Sequence, residues 1–122
     1  MDVRIKRAYD PAGPKDGYRV LIDRLWPRGV SHEAASLDAW IRELSPSPAL
    51  RKWFGHDPDR FEEFRQRYVD ELRAHRDELS ALRRRAREGP LTLVYAASDT
   101  EHNDAVVLAE VLRRGLRSRR RR

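Results

Sequence analysis

Two apolar runs constrain this chain more than any other feature. Tyr18-Arg-Val-Leu-Ile-Asp23 and Leu91-Thr-Leu-Val-Tyr-Ala96 read as strands, and most of what separates them carries helical periodicity. Short, nearly continuous apolar runs suit strands buried on both faces. Strands joined through helices are most simply parallel neighbours with a right-handed crossover. Their carboxyl ends then lie side by side, which is where open α/β sheets bind ligands. Residues 2–9 alternate Val3, Ile5, Ala8 and Tyr9 with Arg4, Lys6 and Arg7, the pattern of a further, half-exposed strand. The loop Asp10-Pro-Ala-Gly-Pro-Lys-Asp-Gly17 is too short for a parallel crossover, so the first two strands are expected to be antiparallel if they are neighbours.

The helical stretch divides itself. Leu37, Trp40, Ile41 and Leu44 share one helical face, and Ser45-Pro-Ser-Pro48 stops that helix. Ser47 then caps a short helix that has Pro48 in its first turn and Gly55 at its end. Asp57-Pro58 opens a longer one, with Phe61, Phe64, Tyr68, Leu72, His75, Leu79 and Leu82 at steps of three and four. Unbroken over 58–88 it would run roughly 45 Å, long for this domain, so a break near His75 is expected. Gly89-Pro90 ends it, and residues 104–114, closed by Gly115, form a last helix with Val107, Leu108, Val111 and Leu112 inward. The order is β-β-α-α-α-β-α. This predicts a single compact α/β domain over residues 1–114, with helices packed on a small mixed sheet of three strands or slightly more. Residues 115–122 are an Arg-rich tail expected to be disordered or frayed.

A chain of 122 residues has room for one domain. It has no cysteine, which excludes a disulfide framework, a thiolate zinc site, an iron–sulfur cluster and a cysteine nucleophile. Its longest apolar runs, 93–97 and 105–109, are too short to span a membrane, and its first residues lack a signal-peptide core, so a cytoplasmic protein is expected. The net charge of +6 is local: residues 113–122 hold seven arginines and no acid, and the remainder sums to −1. That tail could hold nucleic acid nonspecifically, with strong salt dependence. The nearly neutral body does not resemble a nucleic-acid binder.

Three loops carry the unusual polar residues. After the second strand, Asp23-Arg24-Leu25-Trp26-Pro27-Arg28-Gly29 offers arginine forks for phosphate or carboxylate, with Asp23 to orient them or hold a metal. The alternative is an Asp–Arg pair pinning a turn while Trp26 packs into the core. After the third strand comes Ala96-Ala-Ser-Asp-Thr-Glu-His-Asn-Asp104. There Asp99 is expected to cap the last helix, and His102, near the positive end of that helix, would be neutral and usable as a base or ligand. The third loop, Lys52-Trp-Phe-Gly-His-Asp-Pro58, adds His56 beside a Trp53-Phe54 pair that reads as core. If the loops meet, His56, Asp57, Asp99 and His102 make a two-histidine, two-carboxylate site for a divalent metal. There is no Gly-x-Gly-x-x-Gly, P-loop or Gly-x-Ser-x-Gly motif, and Ser98 with His102 is too weak a pair for a hydrolase dyad.

At these segments the chain resembles a known group. Val20-Leu-Ile-Asp-Arg-Leu-Trp-Pro-Arg-Gly-Val30, Leu50-Arg-Lys-Trp-Phe-Gly-His-Asp-Pro58 and Leu93-Val-Tyr-Ala-Ala-x-Asp-x-Glu-His-Asn103 are similar to the signature blocks of the YeaO-like bacterial proteins, a family of unknown function (DUF 488). The resemblance covers residues 3–112. It implies a small cytoplasmic α/β domain without assigning activity, substrate or cofactor. The family usually carries lysine at position 98 and often asparagine at 104, where this chain has Ser98 and Asp104.

The combined expectation is an enzyme or small-ligand-binding protein for an anionic, phosphorylated or nucleotide-like substrate, in a cleft at the strand carboxyl ends. Arg24, Arg28 and Asn103 would hold the substrate, Asp23 and Asp99 would orient it or bind metal, and His56 or His102 would move protons. Two alternatives differ in what they require. A nucleic-acid-binding or regulatory module would depend on residues 113–122, and an interaction scaffold would use the same polar loops only to pin turns.

Overall fold

A computed structural model describes residues 1–116, so residues 117–122 of the expected tail lie outside the described residues. Strands β1 (Val3–Arg7), β2 (Tyr18–Leu21), β3 (Ala39–Trp40) and β4 (Leu91–Tyr95) form one sheet in the order β1-β4-β2-β3. Helices α1 (His32–Ala35), α2 (Pro48–Phe54), α3 (Phe61–Leu72), α4 (Arg76–Glu88) and α5 (Asp104–Arg114) complete the domain. The parallel pairing expected of β2 and β4 is present, with Val20 opposite Leu93.

Every pairing in the sheet is parallel, so it is not mixed. β1 and β2 are not neighbours: β4 sits between them, with Val3 and Tyr18 both opposite Leu91. The connector 8–17 therefore crosses a sheet face beside β4 as a loop without a helix. Ten residues of chain reach up to about 33 Å, ample to return along a five-residue strand and step two strands sideways.

That crossing leaves the two faces unequal. On one face Val3, Ile5, Leu91, Leu93, Tyr95, Tyr18, Val20 and Ile22 meet the helices in the main core. Phe54 and Phe64 stack there at 4.3 Å between ring centres, and the buried Tyr68 hydroxyl donates to the Leu44 carbonyl. The other face holds only a small cluster of Ala8, Leu21 and Val94, with Trp26, Leu37 and Trp40 packed against it. The rest of that face is polar and is sealed by the connector. Arg19, 3% exposed, donates through Nη1 to Asp16 at 2.6 Å and through Nη2 to the Ala35 carbonyl at 2.8 Å. Asp16 also accepts from Lys6 and from the Gly13 N–H, and the Thr92 hydroxyl donates to the Asp16 carbonyl at 2.7 Å. Burial alone would raise the Asp16 carboxyl; hydrogen bonds from Gly13, Lys6 and Arg19 outweigh it and hold the pKa below the ordinary value.

The helix expected over 37–44 is absent. Ser31 instead caps the one-turn α1, Ala39–Trp40 adds an edge strand on β2, and Arg42–Leu44 is a 3-10 turn. Leu37 and Trp40 pack on one sheet face while Ile41 and Leu44 join the core on the other. The spacing imitates a helical stripe because the segment wraps around the sheet edge. The remaining helices follow expectation. Ser47 caps α2 by accepting from the Leu50 N–H, Gly55 closes it, and the long helix breaks at Arg73–His75. No helix among the described residues is long and apolar enough to cross a membrane.

Candidate functional site

A parallel sheet sends all its strand ends the same way, and here they open into a cleft of about 830 Å³. Five segments line it: Arg7 at the end of β1 with Tyr9 just beyond, residues 23–28 after β2, the α2 region from Pro46 to His56, Phe64 of α3, and residues after β4 that include Ala96, Ala97, Ser98, Asn103 and Asp104. The volume falls in the range usual for small-ligand sites.

The cleft is cationic on its walls. Arg24 has a buried Nε with no hydrogen-bond partner among the described residues. The Arg28, Arg51 and Lys52 side chains make no ion pair or hydrogen bond among the described residues. An unpartnered buried guanidinium nitrogen is costly unless something else supplies an acceptor. Trp26 supports this wall: its indole donates to the Val30 carbonyl at 2.6 Å and stacks on His32 at 4.1 Å. It is thus a half-buried strut rather than full core. Arg7 reaches the Ala97 carbonyl at 3.0 Å and lies over the Tyr9 ring.

The floor is acidic. Asp23 accepts from the Ala96 N–H at 2.8 Å, tying the ends of β2 and β4 together, and its carboxyl lies close enough to that of Asp104 for the two to interact. Burial first, and then the neighbouring charge of Asp23, pushes the Asp104 carboxyl well above the ordinary value. A raised folded-state pKa contributes stability that is complete at low pH and lost as pH climbs through the raised value. Asp104→Asn carries no titrating carboxyl and so escapes that loss. The variant should melt several degrees above the parent at pH 8, with the gap closing toward pH 4, as followed by thermal denaturation across that range. A gap independent of pH would contradict the raised Asp104 pKa.

Among the expected site residues, Asp23, Arg24, Arg28, His56 and Asn103 line the cleft, while Asp99 and His102 do not. His56 occupies the left-handed region with φ 58°, a conformation of the kind that collects at functional sites. Asn103, not Asp99, caps α5: its side chain accepts from the Val106 N–H while its amide donates to the Asp99 carbonyl at 2.8 Å. Asp99 caps the preceding turn, accepting from the Glu101 and His102 N–H groups. It also holds the His102 Nδ1 at 2.9 Å, with the imidazole edge-on to Phe61. These contacts, the Glu101 N–H first and the His102 ring next, lower the Asp99 pKa. Asp57 caps its own turn at Asp59 and pairs with Arg60. Among the described residues no group of three or more His, Asp or Glu side chains could hold a metal ion, so the expected set of His56, Asp57, Asp99 and His102 is not assembled. Each carboxylate is spent on its own turn.

The reading from sequence missed Arg7, Tyr9, Arg51, Lys52 and Asp104 as parts of the site. A signal for the first two exists: they lie at the end of β1 and just beyond it, and a parallel β1 brings its end to the cleft.

A family model described as the inactive DUF488-N3 subclade matches residues 2–122. The chain is 46% identical over 113 residues to the uncharacterised protein YeaO of Escherichia coli K12, covering 93% of this chain and 98% of that one. It is 38% identical over 110 residues to the uncharacterised proteins Mb3100c of Mycobacterium bovis and Rv3073c of Mycobacterium tuberculosis, covering 90% of this chain and 92% of each of those. No solved structure matches.

Proposed function

Since the chain belongs to the DUF488 family, in the subclade described as inactive, we propose that it binds a small phosphorylated or nucleotide-like anion at the strand carboxyl ends. The subclade's description favours holding such a ligand over turning it over. The observation that carries the reading is the set of cations without protein partners around one cleft: the Arg24 Nε, Arg28, Arg51 and Lys52. Planar guanidinium forks match phosphate oxygens. A phosphorylated small molecule also goes with a cytoplasmic location.

Titration of the full-length protein with inorganic phosphate and pyrophosphate, followed by backbone amide shifts, tests this. Shifts should concentrate on residues 23–28 and 51–56. Arg28→Ala and Arg51→Ala should each weaken binding about tenfold, in line with about 1.5–3 kcal/mol for a hydrogen bond to a charged group. A chain ending at residue 116 should bind as the parent does. Binding that survives both arginine variants but disappears with the last six residues would transfer the function to the tail and to nucleic acid.

A further inference from the structure

We propose that the ligand has two unlike ends: a phosphate held by the arginine walls, and a hydroxyl or amine that donates to the Asp23–Asp104 carboxyl pair on the floor. The inference rests on the anion reading above and specifies the ligand class. Two carboxyls work against a site for a bare anion, because their charge opposes the charge that the arginines attract. A carboxyl pair does have spare acceptor capacity. Asp23 commits one oxygen to the Ala96 N–H, and each carboxyl oxygen can accept more than one hydrogen bond.

Size and lining point the same way. About 830 Å³ far exceeds what one phosphate fills, and the additional space is bounded by Phe54, Phe64 and the half-exposed ring of Tyr9. Such a wall suits an organic body placed between the two polar ends. Asp23, Arg24 and Asp104 all line this one cleft, so a single ligand can meet both kinds of group.

The test compares three phosphate esters on the full-length protein by calorimetry: methyl phosphate, which has no donor beyond the phosphate, glycerol 3-phosphate, which has hydroxyls, and O-phosphoethanolamine, which has an amine. At least one donor-bearing ester should bind tenfold or more tightly than methyl phosphate, and the tighter one identifies the donor. Asp104→Ala should bring that ester down to the level of methyl phosphate. If this variant does not fold, the size-conserving double variant Asp23→Asn/Asp104→Asn takes its place and should also abolish the preference. Equal binding of all three esters that is still weakened by Arg28→Ala overturns the two-ended ligand and leaves the anion reading standing. No binding of any ester or of inorganic phosphate overturns both.

Discussion

Asp16→Ala should cost about 3–5 kcal/mol of stability, the usual consequence of removing one partner from a buried ion pair. For a domain of this size that is a fall in Tm of roughly 10 °C or more. Arg19 is the reason. Its guanidinium is almost fully enclosed between the connector 8–17 and the end of α1, and Asp16 supplies its only carboxylate. Without Asp16 a positive charge remains buried against two backbone carbonyls, and Lys6 loses its partner as well. Arg19→Met in the Asp16→Ala background removes the stranded charge, so the double variant should recover part of the loss. Urea denaturation of the four proteins in this cycle measures the coupling. A loss below about 1 kcal/mol for Asp16→Ala would place the pair with ordinary surface ion pairs. Because the folded Asp16 pKa is depressed, its contribution is present above the ordinary carboxylate pKa and fades as pH falls through the lower folded value.

Gly17→Ala should be comparably severe for a different reason. A Cβ at this position would lie 2.1 Å from the Pro90 carbonyl oxygen, and the backbone has φ +66°. That oxygen accepts the Tyr18 N–H at 2.9 Å, the bond that starts β2 against the β4 side of the sheet. Relief of the clash must separate the strands where their register begins. Gly29→Ala is the natural control, since φ is +81° there but, apart from its chain neighbours, nothing among the described residues lies within 4 Å of the added Cβ. The control should lose only the conformational cost of about 1–2 kcal/mol. Gly17→Ala should lose clearly more, or fail to accumulate as folded protein. Equal losses in the two variants would show that the strand end at Pro90 yields without penalty.

Local signals in the chain translated well where one element settled its own outcome. Ser47, Pro48 and Gly55 bound α2 by rules that act within one turn, and α5 ends at Gly115 for the same kind of reason. The break at Arg73–His75 was legible from length alone. Long-range choices were not legible. Leu37, Trp40, Ile41 and Leu44 are spaced as on a helix, yet two of them cover each side of the sheet, and only the position of β2 decides that. The direction of β1 depended on β4, which lies far away in sequence, and an antiparallel β1 would have put Arg7 and Tyr9 at the wrong end of the sheet. Asp23, Arg24 and Arg28 stood out because an acid and two arginines share one short loop after a strand, and His56 because no packing pattern explained it. Asp104 did not, because an acid in the first turn of a helix is ordinary until Asp23 arrives beside it.

The strand order β1-β4-β2-β3 also governs the chain's history during synthesis. β1 and β2 leave the ribosome early, but the partner that separates and pairs them is not made until residues 91–95. At usual elongation rates the wait after β2 is about 4–14 s. Throughout that interval β1 has no lateral neighbour and β2 has at most the two residues of β3. The nascent chain thus carries open, apolar strand edges until β4 is made, and the same insertion that gives the cleft its floor ends that exposure.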